Sequence, residues 1–201
     1  LFLSKDAIVL NKSIFSAMTA AKHTVEYVCN KPYLRIFQSL NERGSGTVVG
    51  HSIRVSLLAP FIAYQLGHVN GLSLEYLAAA GILHDLGKTK LFLSDNLELN
   101  EEEEQEIMKQ HPFAAYNLLK DSDHIAPEIL TIIMEHHERH DGKGYPNGLR
   151  AQKIHPLARI FAFANEFDNI TSSIKGDNFT KYSEAIDIIK TQRRKWFDPE
   201  I

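Results

Sequence analysis

Apolar positions along this chain recur at helical spacing, and almost nowhere do they alternate as in a strand. Ile8, Ile14, Phe15, Met18, Val25 and Val28 mark a first helix that ends before Pro32. A shorter piece around Tyr33 to Leu40 is broken by Gly44-Ser45-Gly46, and a long helix is predicted from about Thr47 to Leu66, with His51 near its start. Ser73 is the expected N-cap of a helix through Leu74, Leu77, Ala78 and Ile82. That helix delivers His84 and Asp85 at its end, where Gly87 suits a chain reversal. Asn100 before Glu101 to Glu104 reads as a cap followed by acids that complement the helix dipole, so this charge run is a solvated helix face. Pro112, beside His111, should bend or restart the helix. Pro127 suits the first turn of a helix running through Ile129, Leu130, Ile133 and Met134 into His136-His137. Asp141 to Leu149 is loop by composition. Pro156 opens a helix with Leu157, Ile160, Phe161, Ala164 and Phe167, and a last helix holds Ala185, Ile186 and Ile189. The pattern predicts an all-α, single-domain helical bundle without repeats or a low-complexity linker.

Composition narrows what such a bundle does. At 201 residues and 44% hydrophobic content the chain can bury a sizeable core as one domain. A formal net charge of −3 argues against a surface for polymeric nucleic acid, while leaving room for a small anionic substrate beside bound cations. The single cysteine, Cys29, excludes an internal disulfide framework, fits a reducing, cytoplasmic setting and is expected to be buried in the first helix. The longest apolar stretch, Val55 to Tyr64, contains Pro60 and is too short for a span of about 20 residues, so no membrane contact is expected from this segment. Because the chain begins at Leu1 instead of Met, it is expected to be excised from a longer protein, with an upstream sensor or membrane-attached part outside it.

The chemistry concentrates in two runs, His84-Asp85-Leu86-Gly87-Lys88 and His136-His137-Glu138-Arg139-His140-Asp141-Gly142-Lys143-Gly144-Tyr145-Pro146. Adjacent histidines are rotated by about 100° on a helix and cannot both enter one core, but they can straddle two cations held side by side. His51, His84, Asp85, His111, His136 and His137 come from four or five different predicted helices, the way bundles build di-metal sites. Imidazole with carboxylate selects a transition metal, iron or manganese ahead of nickel or zinc, and the lack of nearby cysteines argues against thiolate zinc or iron–sulfur chemistry. Two such ions lower the pKa of a shared water and hold both oxygens of an in-line displacement, which suits a phosphodiester. Lys88, one turn beyond Asp85, is placed to neutralise a non-bridging phosphate oxygen; its plainer role is a solvent-facing lysine at a helix end. His23, His68, His124 and His155 read as structural or surface residues, and His140 stays open between the two.

At these residues the chain resembles the HD-GYP family, a branch of the HD phosphohydrolases that hydrolyses the bacterial second messenger cyclic di-GMP. HDxGK, a later His-Pro and HHExxDGxGYP occur in the family's order, and the resemblance runs from His51 to Phe197-Asp198-Pro199-Glu200. It implies an HD-domain bundle over residues 47–201, preceded by an N-terminal helical segment 1–46, with a dinuclear centre between helices. It implies metal ligation by His51, His84, Asp85, His111, His136 and His137, with Asp85 bridging, catalysis involving Asp85 and Lys88, and Lys88 on the substrate phosphate. Glu138 and Asp141 become loop-ordering residues behind the site, and Gly144-Tyr145-Pro146 shapes the substrate pocket. Cyclic di-GMP is the implied substrate, cleaved to pGpG and/or GMP, and GGDEF-type signalling proteins or an upstream sensor domain are the implied partners.

Several positions depart from that family's pattern. In Ala164-Asn165-Glu166-Phe167-Asp168-Asn169-Ile170-Thr171 the usual ligand Asp is Asn165, whose amide oxygen can coordinate without supplying charge. The Glu that members with a third metal carry is Thr47, so at most two ions are expected. The Arg that holds substrate phosphate is Ile174, with Lys175 displaced by one residue. These losses keep a second reading in play, a degenerate module that binds nucleotide or a partner protein without turnover.

Overall fold

The computed structural model describes residues 5–30, 47–67, 70–92 and 100–201, and every regular element among them is helical. In chain order these are α1 (Lys5–Asn30), α2 (Val48–Gln65), α3 (Gly71–Leu83), α4 (Leu86–Phe92), α5 (Glu101–Met108), α6 (His111–Leu119), α7 (Pro127–Glu135), α8 (Pro156–Ser173) and α9 (Asn178–Gln192). Single 3-10 turns occur at Ala151–Lys153 and Arg194–Trp196. The piece expected at Tyr33 to Leu40, the Gly44-Ser45-Gly46 break, His68 and the side chain of Cys29 lie outside the described residues.

Helix α3 is the axle of the bundle, because apolar or small residues occupy every face of it. Leu74, Leu77, Ala78, Ala79, Ala80 and Leu83 are all buried, and a helix without a polar stripe is stable only when surrounded. α1, α2, α7 and α8 pack on it, and α2 also packs on α1 and α8. α1 contributes Ile14, Ala17, Ala21 and Val25 to the same core. A smaller apolar cluster joins α8 to α9 and the C-terminal segment through Ile170, Ala185, Ile189 and Phe197. No helix among the described residues is long and apolar enough to cross a membrane.

Helix ends follow local chemistry. Thr47 caps α2, its hydroxyl accepting from Gly50 N at 3.0 Å. Asn100 and Glu103 form a reciprocal capping box that starts α5, and the glutamates there are exposed, as a solvated face requires. Pro112, Pro127 and Pro156 all sit in first turns, where a missing N–H costs nothing; Pro112 therefore restarts the chain as α6 after α5 has ended.

Four local expectations are corrected. The cap of α3 is Asn70, whose Oδ1 accepts from Leu72 N at 3.1 Å, and Ser73 lies inside the helix. Gly87 is helical, within α4, and makes no reversal. Phe15 is 60% exposed and Ile186 41% exposed, so neither belongs to its helix's buried stripe. Each apolar stripe is narrower than its helical period suggested, because only part of α1 and α9 meets a neighbour.

Candidate metal centre

Helix ends aim the site's donor atoms at one point. His51 lies in the first turn of α2, His84 is the C-cap of α3, His111 is the first residue of α6, and His136 caps α7 with His137 next to it. Asp85 lies between α3 and α4. A Cβ on Gly87 would fall 2.0 Å from the His111 carbonyl oxygen and 2.7 Å from Ala115 N, so only glycine lets α4 press backbone-to-backbone on α6. That contact brings Asp85 Oδ1 to 3.4 Å from His111 Nε2.

The imidazoles are oriented from behind. Nδ1 of His84, His111 and His136 lies 3.0, 2.6 and 2.6 Å from the carbonyls of Gly81, Met108 and Ile133, each three residues upstream. A carbonyl only accepts, so Nδ1 carries the hydrogen and the neutral ring presents a bare lone pair at Nε2. Facing Nε2 atoms are 3.2 Å apart for His51 and His84, and 3.1 Å apart for His111 and His136. Paired lone pairs at that distance repel unless a positive centre lies among them.

Donor atoms fall into two groups, His51–His84–Asp85 and His111–His136–His137, each within 4.8 Å of one another. Asp85 links them: Oδ1 lies 3.5 Å from His84 Nε2 as well as 3.4 Å from His111 Nε2, and Oδ2 lies 3.9 Å from His51 Nε2. Asp85 Oδ1 and Asn165 Oδ1 are both buried without a hydrogen-bond partner, a costly condition that a cation relieves. Burial lowers His84 to about 4 and also holds His111, His136 and His137 below the ordinary imidazole value. Burial pushes the Asp85 carboxyl up, but His84 and the Lys88 ammonium, 2.7 Å from Oδ2, outweigh it and keep it below the usual carboxylate range. Neutral imidazoles around an ionised carboxylate fit a divalent-metal centre.

The loop after α7 forms one wall. Tyr145 stacks on His137, ring centroids 4.6 Å apart, and its amide donates to the His137 carbonyl at 3.2 Å. Burial raises the Tyr145 phenol, as does the Asp85 charge, so it stays protonated. Gly144 is forced by proximity, since a Cβ there would lie 2.4 Å from the His137 oxygen. Glu138 braces the loop by accepting from Asn147 N at 2.7 Å and Leu149 N at 2.8 Å. Asp141 pairs with Arg139 at 2.6 Å and accepts from Lys143 N. A cavity beside His136, His137 and Tyr145 is lined further by Asn165, Lys143 and Trp196, and Arg139 lies over the Trp196 ring at 3.8 Å.

Two residues that sequence reasoning gave no role stand directly behind the cage. Asp168, fully buried, accepts from His51 Nδ1 at 2.7 Å and receives Arg54 through Nε at 2.7 Å and Nη2 at 3.0 Å. The available signal was an arginine one turn after His51 and an acid one turn after Asn165, both inside apolar helices. Other positions lie apart from the cage: Thr47 is an exposed cap, Ile174 packs on the α8–α9 apolar cluster, and Lys175 is exposed. Among the remaining histidines, His23 and His124 are exposed and His155 caps α8.

Comparison with known proteins agrees with this geometry. The HD domain family model matches residues 33–201. The cyclic di-GMP phosphodiesterase response regulator RpfG of Xanthomonas campestris is 31% identical over 192 residues, covering 93% of this chain and 50% of the relative. A cyclic di-GMP phosphodiesterase of Thermotoga maritima is 32% identical over 173 residues, covering 84% and 46%. The chain thus spans about half the length of these curated relatives. In fold it is similar to Bd1817, a HDG"Y"P protein from Bdellovibrio bacteriovorus, with a TM-score of 0.76 at 22% identity over 94% of this chain and 61% of that one. Helical architecture, the two donor groups and the family match converge: the chain belongs to the HD domain family.

Proposed function

We propose that this domain is a metal-dependent phosphodiesterase that hydrolyses cyclic di-GMP to pGpG and/or GMP. One observation carries the reading: the Nε2 atoms of His51, His84 and His111, from three helices, lie within 3.9 Å of Asp85, with His136 Nε2 3.1 Å from that of His111 and every Nδ1 that has a backbone partner turned away. The names of the Xanthomonas and Thermotoga relatives support the substrate. In this reading His51, His84 and Asp85 would hold one transition-metal ion and His111, His136 and His137 a second, with Asp85 lying between the two groups and Asn165 available to offer its amide oxygen. Iron or manganese suits the donors best, with nickel or zinc next. When bound, such a pair activates water and offsets charge on the phosphate.

The chain's own residues do the rest. Lys88 holds Asp85 in place and presents its ammonium to a non-bridging phosphate oxygen, while Asp168 fixes the His51 ring for lone-pair donation. Glu138 and Asp141 brace the loop, so that Gly144, Tyr145 and Pro146 wall the substrate side and Tyr145 limits water at His137. The domain acts in the cytoplasm, under an upstream sensor or a GGDEF-type partner. A second reading, nucleotide binding without turnover, is favoured by Asn165 and by Ile174, which packs in an apolar cluster instead of offering a cation.

The deciding experiment incubates cyclic di-GMP with the protein loaded with manganese or, anaerobically, ferrous iron, and separates products by ion exchange. Turnover that Asp85→Ala abolishes supports the enzyme. Tight nucleotide binding with no turnover under either metal establishes the second reading.

A further inference from the structure

The two donor groups are chemically unequal, and the inequality has a consequence for what binds. One group contains a carboxylate, Asp85, and is backed by a second, since Asp168 accepts from His51 Nδ1 at 2.7 Å. The other consists of His111, His136 and His137, with no carboxylate of its own beyond the approach of Asp85 Oδ1 to His111 Nε2 at 3.4 Å. The side chain that lines the cavity beside it, Asn165, is 2% exposed, and its Oδ1 has no hydrogen-bond partner. Asn165 thus has the burial of a ligand but brings no negative charge.

The two carboxylates that meet the donor rings, Asp85 and Asp168, are each matched by a cationic side chain of the protein before any metal arrives. Asp85 is matched by Lys88 at 2.7 Å, and Asp168 by Arg54 at 2.7 Å. Farther out, Asp141 is paired with Arg139 and Glu166 with Arg193, Glu138 has both oxygens committed to the amides of Asn147 and Leu149, and Lys143 lines the cavity with its positive charge. Two dications side by side repel strongly where water is excluded. A single shared carboxylate, already paired with an ammonium, offsets only a fraction of that repulsion. The missing negative charge must come from a ligand.

Resting on the metal-centre reading above, we propose that one divalent cation fills the His51–His84–Asp85 group on its own, and that the His111–His136–His137 group takes a second only together with a phosphate-type anion, Asn165 being the residue that sets this dependence. Cation and phosphate then bind cooperatively, each raising the other's affinity by the same factor. Substrate, as a phosphodiester anion, completes its own site, and the resting domain carries a single tightly held ion.

Titration calorimetry of the metal-free protein with manganese, with and without inorganic phosphate, tests this, with electron paramagnetic resonance of the same samples. Without phosphate, one equivalent should bind tightly and a second at least about tenfold more weakly; phosphate should close that gap and produce the spectrum of a coupled manganese pair. In Asn165→Asp the second equivalent should bind without phosphate, and the phosphate effect should shrink. Two equivalents of like affinity in phosphate-free buffer, or a second step that phosphate does not tighten, overturns the proposal while leaving the metal centre itself standing. Failure to bind manganese under any condition overturns both. The wild-type titration alone carries the test if Asn165→Asp proves unstable, which its helical circular dichroism would show.

Discussion

Asp168 Oδ2 accepts a hydrogen bond from His51 Nδ1 at 2.7 Å, across 117 residues of sequence, while Arg54 grips the same carboxylate from the helix that carries His51. The acid does two jobs at once: it orients a donor imidazole and neutralises an arginine that is only 1% exposed. Removing one partner of such a pair strands the other charge.

Asp168→Asn should therefore lower the stability of the metal-free protein by about 3–5 kcal/mol and reduce manganese affinity by about 10–100-fold. Thermal melts in chelator and manganese titration measure the two effects. An unchanged melting temperature would show that Arg54 finds another partner.

Acid should destabilise the metal-free fold from near neutrality downward. His84 is lowered to about 4, and His111, His136 and His137 are also lowered from 6.5. Below about pH 6.5 the unfolded chain binds more protons than the folded one, so stability falls as pH falls through this window and recovers as pH rises. His84 alone contributes on the order of 3 kcal/mol by the lower end, at about pH 4. Glu138, raised by burial, acts weakly in the opposite sense. Melting temperatures in chelator should decline with acid, and less steeply in His84→Asn; equal slopes in the two proteins would refute the assignment to His84.

Lys88→Ala separates two uses of one ammonium. It is 2.7 Å from Asp85 Oδ2 and only partly covered, so it can brace the carboxylate and still reach a phosphate oxygen. Turnover of cyclic di-GMP should fall by about 100-fold, with manganese occupancy reduced much less. Parallel loss of both would mean that Lys88 serves only Asp85.

Gly144→Ala tests the loop wall. Its Cβ would meet the His137 oxygen at 2.4 Å and Arg139 N at 2.5 Å, both backbone atoms that cannot swing away. A loss of about 1–3 kcal/mol is expected, together with altered Tyr145 fluorescence as its stacking on His137 is disturbed. A variant that melts like the wild type would mean the loop relaxes freely.

Helical period, prolines and the Asn100 cap made most element positions legible, because each depends on neighbours within a turn or two. Ser73 misled because Asn70, three residues earlier, caps equally well, and the choice depends on where α3 must begin to pack. Gly87 misled for a related reason. A glycine after a helix looks like a stop signal, and only the approach of α6, with the His111 oxygen in the space of a Cβ, shows why glycine is there.

Residue order was enough to establish that the chain is helical and that it carries an HD-type set of imidazoles and one acid at helix ends, since residue type and local period are properties of the chain. Only folding settled which nitrogen of His51, His84, His111 and His136 faces inward, how the donors divide into a group containing Asp85 and an all-histidine group beside it, and that Arg54 and Asp168 stand behind His51. Those outcomes depend on carbonyls, charges and backbones brought together from separate helices, through the packing around α3 and the close contact of α4 with α6 at Gly87.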